Sequence, residues 1–291
     1  MRRSMMFLPS NNPNMLQNGP FLGADAVIFD LEDAVSPDQK DAARVLLKHA
    51  LTSLEFGDCE KIVRINGLDS SYWEEDLETI LPLGVDVVMP PKVSGADYIR
   101  EVDKKMTEVE EKNGMEVGKV KILALIETAA GLENSYAAAS ASSRMTGLFL
   151  GAEDLTADLQ SKRTKEGTEI LYARERLIVA ARAAGIEVYD TPFTDTRDLD
   201  GLREDAAFAK RIGFSGKACI SPAHVDIVNE IFSPSQADIN YAKEVFRAIE
   251  EAKLQGRGAV SLRGKMIDAP IVARAQKTLD DARAIWGGDF V

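Results

Sequence analysis

The residues in this chain that could do chemistry are mostly acids. With them goes one arginine, and each sits where an apolar run gives out. Asp30, Glu32 and Asp33 follow AVIF, Arg64 and Asn66 close KIVRIN, and Lys92 closes VDVVMPPK. Glu127 follows KILALI, Glu153 and Asp154 follow GLFLGA, and Asp190 follows IEVY. Carboxylates gathered at one mouth repel each other unless a cation sits among them. The chain has only two histidines and two cysteines. Hard oxygen ligands therefore favour Mg²⁺, with Mn²⁺ as an alternative, over Zn²⁺. Glu127 and Asp154 end neighbouring runs, each followed by a turn sequence (TAAG and LTAD), and are the expected metal pair. Glu32 and Asp33 are expected to orient metal-bound water and substrate. Ala152 and Glu153, just before Asp154, are placed among the substrate contacts. Arg64 in VRING is the expected anion or enolate binder, because a buried guanidinium needs a partner and a substrate carboxylate would serve. A single strand-end acid is more often a helix cap or half of a surface ion pair, but here several such coincidences would have to occur together. Lys92 reads as structural or as rim charge. His49, in a helical pattern, and His224, in SPAHVD, read as structural. No GxSxG signature is present, and the rim acids favour metal-assisted enolate chemistry over a Schiff-base lysine.

Such residues need a scaffold that brings strand ends to one face. Eight β-rich runs alternate with helical patterns: Arg3–Pro9, Ala24–Asp33, Lys61–Asn66, Val85–Lys92, Lys121–Thr128, Gly147–Asp154, Ile186–Phe193 and Gly216–Pro222. Most are continuously apolar, as suits parallel strands covered on both faces. Helices are expected at Gln39–Leu51, Asp97–Lys112, Leu132–Ser142, Ile170–Ala184 and Leu199–Ile212, with Gly84, Gly147, Gly185 and Gly213 as helix stops. Eight βα units predict a (β/α)₈ barrel with its active residues at the C-terminal strand ends. An open doubly wound sheet is the alternative, weakened because neither GxGxxG nor GxxxxGK[ST] occurs. The barrel is expected over 1–232 and a C-terminal lid or subunit clasp over 233–291. That extension reads as a helix over Gln236–Gln255, the segment GAVSLRGKMIDAP, and a helix near Ile271–Ile285.

Composition sets outer limits. Of 291 residues, 45% are hydrophobic and 28% charged, the profile of a globular chain. A net charge of −12 argues against nucleic-acid binding, which needs basic surface. Cys59 and Cys219 are too few for a disulfide framework. The opening MRRSMMFLPSNNP is broken by Pro9 and Asn11 before it could form a signal core. No run approaches the roughly 20 apolar residues of a membrane span. A cytoplasmic protein without membrane or nucleic-acid partners is expected.

The pieces RSMMFLPSNNPNML, GADAVIFDLEDAV, KIVRING, DVVMPPKV, LALIETAAG, GLFLGAEDLTADL, YARERLIVAARAAGIEVYDTPF, GFSGKACISP and GKMIDAP, in this order, resemble the HpcH/HpaI aldolase and citrate lyase family over nearly the whole chain. Asn11, Asn12, Pro13 and the YAR around Arg174 look like its citrate-lyase branch, while Pro90 and Ser221 depart from what relatives often show. The resemblance implies a metal-dependent barrel with Glu127 and Asp154 as Mg²⁺ ligands, Arg64 as substrate-binding arginine and Glu127 also against the substrate. It implies that Asp268 in GKMIDAP is a catalytic acid/base, reaching the site of a neighbouring subunit from the C-terminal extension. The implied reaction is C–C cleavage of a citryl thioester on an acyl carrier protein to oxaloacetate and an acetyl thioester. The implied partners are acyl-carrier (γ) and transferase (α) subunits and further copies of the chain, as a trimer or hexamer. The rival readings are a stand-alone malyl-CoA or citramalyl-CoA lyase of the same family, a non-catalytic barrel scaffold, and an unrelated phosphate-binding barrel, which lacks its glycine-rich loop.

Overall fold

A computed structural model describes residues 1–254 and 260–288. Gln255 and the Gly258–Ala259 start of GAVSLRGKMIDAP lie outside the described residues. In chain order the barrel elements are β1 (Ser4–Pro9), α1 (Pro13–Asn18), β2 (Ala26–Asp30), α2 (Lys40–Ser53), β3 (Glu60–Arg64), α3 (Trp73–Ile80), β4 (Val87–Met89) and α4 (Ala96–Lys112). They continue with β5 (Lys121–Ile126), α5 (Ala129–Glu133), α6 (Ser135–Ala139), β6 (Met145–Leu150), α7 (Ala152–Asp158), α8 (Leu171–Ala184), β7 (Glu187–Asp190), α9 (Leu199–Ile212), β8 (Gly216–Cys219) and α10 (Pro222–Phe232). The eight strands close into a barrel in sequence order, each pairing in parallel with the next and β8 with β1. The (β/α)₈ expectation is met and the open sheet excluded.

Side chains alternate between the two faces of a strand. The inward column carries Met5, Ala26, Ile28, Ile62, Val87, Met89, Leu123, Leu125, Phe149, Tyr189 and Ala218, a buried apolar cluster that fills the barrel as layered side chains do in this architecture. Each strand is shorter than its apolar run. The ladder stops at Asp30, Arg64, Ile126 and Leu150, and the polar residues after these points have left the sheet. Gly84, Gly185 and Gly213 do end helical segments with positive φ. Gly147 does not: it lies inside β6, where a Cβ would meet the Tyr189 ring at 2.9 Å and Leu123 at 3.0 Å. The single helix expected over Leu132–Ser142 is two short ones, α5 and α6, meeting at Asn134.

Contacts divide the chain into Arg2–Asn229 and a second unit of Met1 with Glu230–Val291. In the second unit, α11 (Gln236–Leu254) and α12 (Ala269–Trp286) flank a small antiparallel pair, β9 (Ser261–Leu262) and β10 (Lys265–Met266). Ile239, Ala242, Val245, Ala275, Leu279 and Ala282 form its own apolar core. No described helix is long and apolar enough to cross a membrane.

Candidate active site

Continuing the inward column by one step carries each strand from apolar core to polar rim. Asp30 follows Ile28, Arg64 follows Ile62, Glu127 follows Leu125, and Thr191 follows Tyr189. All four line one cavity of about 370 Å³ at the C-terminal mouth of the barrel, with Phe7 and Phe149 in its floor. That volume suits a small molecule.

Glu127 is 3% exposed. Burial, then the nearby Asp154 carboxylate, push its pKa up to about 8, while Arg64 pulls it down. Its Oε1 accepts the Lys92 backbone N–H at 2.8 Å. Its Oε2 lies where Gly151 has no side chain: a Cβ there would stand 2.6 Å from that oxygen. Asp154 faces the same cavity. It is not at the end of a strand but in the first turn of α7, because β6 stops at Leu150 and Gly151 turns the chain (φ −96°, ψ 87°). An acid there suits the positive end of the helix.

Arg64 is held from behind. Its Nε and Nη2 donate to Asp30 Oδ1 and Oδ2 at 2.7 and 2.5 Å, and its Nη1 stands 3.2 Å from Glu32 Oε2. The guanidinium also lies 5.3 Å from the centre of the Phe7 ring. A guanidinium has five N–H donors. Three face these acids, which leaves two for the cavity that Arg64 lines.

The other expected residues fall as follows. Asp33, Ala152 and Glu153 line the cavity. The Ala152 N–H donates to the Thr191 hydroxyl at 3.2 Å, and Glu153 is exposed and 3.4 Å from Arg163. Glu32 is buried behind the lining, bridging Arg64 and Lys92; burial raises its pKa, against the pull of Arg64 and Lys92. Asn66 turns to Asp76. Asp190 is drawn away from the mouth into a buried set with Arg174 and Lys217. His49 is exposed, and His224 is buried, which lowers its pKa. Asp268 belongs to the second unit. It is exposed and caps α12, accepting the Ile271 N–H at 3.1 Å. Thr191 lies outside the expected set, and Asp30, expected only as a strand-end acid, is the arginine's clamp. Their signal was the period of two along β2 and β7, which points both inward.

Among the described residues, no group of three or more His, Cys, Asp or Glu is close enough to hold a metal alone. Two carboxylates that repel each other at one cavity do fit a hard divalent ion, which commonly takes few protein ligands and fills the rest of its shell with water and substrate oxygens.

Residues 3–222 match the model of the HpcH/HpaI aldolase/citrate lyase family. The chain is 43% identical to citrate lyase subunit beta of Leuconostoc mesenteroides subsp. cremoris, over 98% of this chain and 94% of that one. It is 35% identical to a (3S)-malyl-CoA thioesterase of Cereibacter sphaeroides, over 97% and 95%. The structure is similar to that of the protein CitE of Mycobacterium tuberculosis in complex with magnesium, acetoacetate and coenzyme A, with a TM-score of 0.77 and 29% identity over 97% and 98% of the two chains. A closed eight-stranded barrel, a carboxylate pair beside an arginine, and a match over three quarters of its length place this chain in the HpcH/HpaI aldolase/citrate lyase family of lyases.

Proposed function

We propose that this chain cleaves a citryl thioester carried on an acyl carrier protein, giving oxaloacetate and an acetyl thioester. The observation that carries the reading is that Glu127, Asp154 and the free side of Arg64 open on one small cavity. Glu127 and Asp154 are the residues to hold Mg²⁺, or Mn²⁺ in its place. When bound, such an ion supplies Lewis acidity to the substrate's hydroxyl and carboxylate oxygens.

A general base takes the proton of the substrate hydroxyl, the O–H electrons become the new C=O bond, and the adjacent C–C bond breaks. The electron pair moves onto the thioester as an enolate. Arg64 is fixed by Asp30 and Glu32 before this charge develops, so its two remaining donors stabilise the enolate oxygen without reorganising. One such donor contributes about 3 kcal/mol to lowering a barrier. Asp268, brought by a neighbouring copy of the chain, gives its proton to the enolate carbon. The reading includes a cytoplasmic homo-oligomer, trimeric or hexameric, working with acyl-carrier and transferase subunits.

A second reading, a stand-alone lyase for malyl-CoA or a related CoA thioester, is supported by the 35% identity to a malyl-CoA thioesterase. Assay of the purified protein with Mg²⁺ on citryl-carrier protein and on malyl-CoA separates the two. Faster oxaloacetate release from the carrier thioester is expected. Cleavage of malyl-CoA alone would favour the second reading, and cleavage of neither would overturn both.

A further inference from the structure

Past β4 the chain runs Met89-Pro90-Pro91-Lys92. Proline has no N–H, so the first amide donor beyond that strand belongs to Lys92. It goes to Glu127 Oε1 at 2.8 Å rather than to a neighbouring strand. Lys92 reaches this position with φ +50°, in the left-handed region, which L-residues other than Asn and Asp seldom occupy. Arg263, another described residue of this kind, sits in the two-residue turn between β9 and β10, where positive φ is usual. Lys92 is in no hairpin. Its conformation is held from both sides: Leu125 N–H donates to the Pro90 carbonyl and Val93 N–H to the Leu125 carbonyl, each at 3.2 Å. The Val93 carbonyl packs so close to Gly131 that a Cβ there would stand 2.2 Å away.

The side chain of Lys92 turns the other way. Its Nζ donates to Glu32 Oε1 at 2.8 Å and lies 3.9 Å from Asp33 Oδ1. The second oxygen of Glu32 faces Arg64 at 3.2 Å. One residue therefore touches both halves of the site, Glu127 through its backbone and the arginine's clamp through its ammonium. Strained backbone of this kind persists where its surroundings over-determine it, and it clusters at functional sites.

We propose that Lys92 is a positioning residue: its left-handed backbone fixes which oxygen of Glu127 is left for a metal ion, and its ammonium holds Glu32 against Arg64. The role rests on Glu127 being a metal ligand, as in the proposed function, but the placement of the Glu127 carboxylate can be read independently of any activity. Lys92→Gly keeps the amide and the backbone freedom while removing the ammonium. Lys92→Val removes the ammonium and disfavours the left-handed backbone. Lys92→Arg keeps a cation that can reach Glu32.

In crystal structures, Lys92→Gly should retain the Glu127 carboxylate where it stands and Lys92→Val should displace it. With Mn²⁺ alone as probe, calorimetry should give a dissociation constant within twofold of wild type for Lys92→Gly and at least tenfold weaker for Lys92→Val. Turnover should fall about tenfold in Lys92→Gly with little change in KM, and Lys92→Arg should restore most of it. An undisturbed Glu127 in Lys92→Val, or full turnover in Lys92→Gly, would overturn the proposal. Should Lys92→Val not fold, the Lys92→Gly and Lys92→Arg results decide it. Wild-type protein that binds no Mn²⁺ would overturn the metal-site reading, while the Glu127 placement in the two structures would still decide the role of Lys92.

Discussion

Asp30 and Arg64 are register partners at the ends of β2 and β3, and their side chains meet as a two-pronged fork of 2.7 and 2.5 Å. Sheet pairing itself therefore aims the arginine. Asp30 is 1% exposed and also accepts the N–H groups of Glu32 and Ala34 at 2.9 and 3.1 Å, which leaves it no freedom to follow a moving partner. Asp30→Asn keeps the shape but removes the charge opposite a buried guanidinium. Breaking such a pair costs about 3 kcal/mol of stability. Turnover should fall by about two orders of magnitude as Arg64 loses its aim, the size expected for loss of one preorganised charge contact. Urea unfolding and steady-state kinetics on the folded variant check both; a variant within twofold of wild-type turnover would remove Asp30 from the machinery.

Gly151 stands close against Glu127, one of the two acids proposed to hold the metal ion. Its backbone (φ −96°, ψ 87°) has negative φ, so an added methyl group meets no left-handed barrier. The obstacle is Glu127, with Oε2 at 2.6 Å and Cβ at 2.7 Å from the new Cβ position. Gly151→Ala should therefore push Glu127 off its place. The overpacking should cost about 1–3 kcal/mol, and Mg²⁺ affinity measured by calorimetry should fall at least tenfold. Unchanged affinity would place the ion elsewhere.

Without an ion, Glu127 holds a proton up to about pH 8, mainly through burial and then through Asp154. The unfolded chain releases that proton near pH 4.5, so between these values the native state binds more protons than the unfolded one. Stability of the metal-free protein should thus decline as pH rises from 4.5 to 8, by at most about 1.4 kcal/mol per pH unit from this group. With Glu127 as a ligand, as proposed, metal uptake would displace the same proton. Mg²⁺ affinity should rise up to about tenfold per unit over that window and flatten above it, and Glu127→Gln should abolish both trends. Thermal melts with and without Mg²⁺ across pH 5–9 read both at once.

Particular residues show how much of this was legible in the sequence. Glu127 and Arg64 stood at the ends of apolar runs, and the eight runs alone implied the barrel, because parallel strands buried on both faces leave few polar residues to misplace. Asp154 is legible as a rim acid but its place in a helix is not, since the chain leaves β6 at Gly151, a residue whose missing side chain makes room for Glu127. Asp30 was overlooked as the clamp of Arg64 because the pairing depends on strand register, which one sequence does not display. The alternation Ala26, Ile28, Asp30 would have pointed it inward. Asp190 carries the same strand-end signal as Glu127, but it lies between the inward Tyr189 and Thr191 and so faces outward, where Lys217 from β8 and Arg174 from α8 capture it.

That capture makes the last expectation. Lys217 is fully buried, with Nζ 2.6 Å from Asp190 Oδ2, 2.6 Å from Asp205 Oδ2 and 2.7 Å from the Thr191 carbonyl. Arg174 joins the same two acids, reaching Asp190 at 2.8 Å and Asp205 at 2.7 Å. Two cations and two carboxylates thus balance. Lys217→Met leaves both acids with one guanidinium and an uncompensated buried charge, which should cost about 3–5 kcal/mol. Adding Asp205→Asn restores one cation to one anion, so the double variant should be more stable than the single one despite carrying a further change, a coupling that a double-mutant cycle isolates. Urea unfolding of the four proteins reads it. A Lys217→Met variant as stable as wild type, or a double variant less stable than Lys217→Met, would show that charge balance is not what holds this side of the barrel.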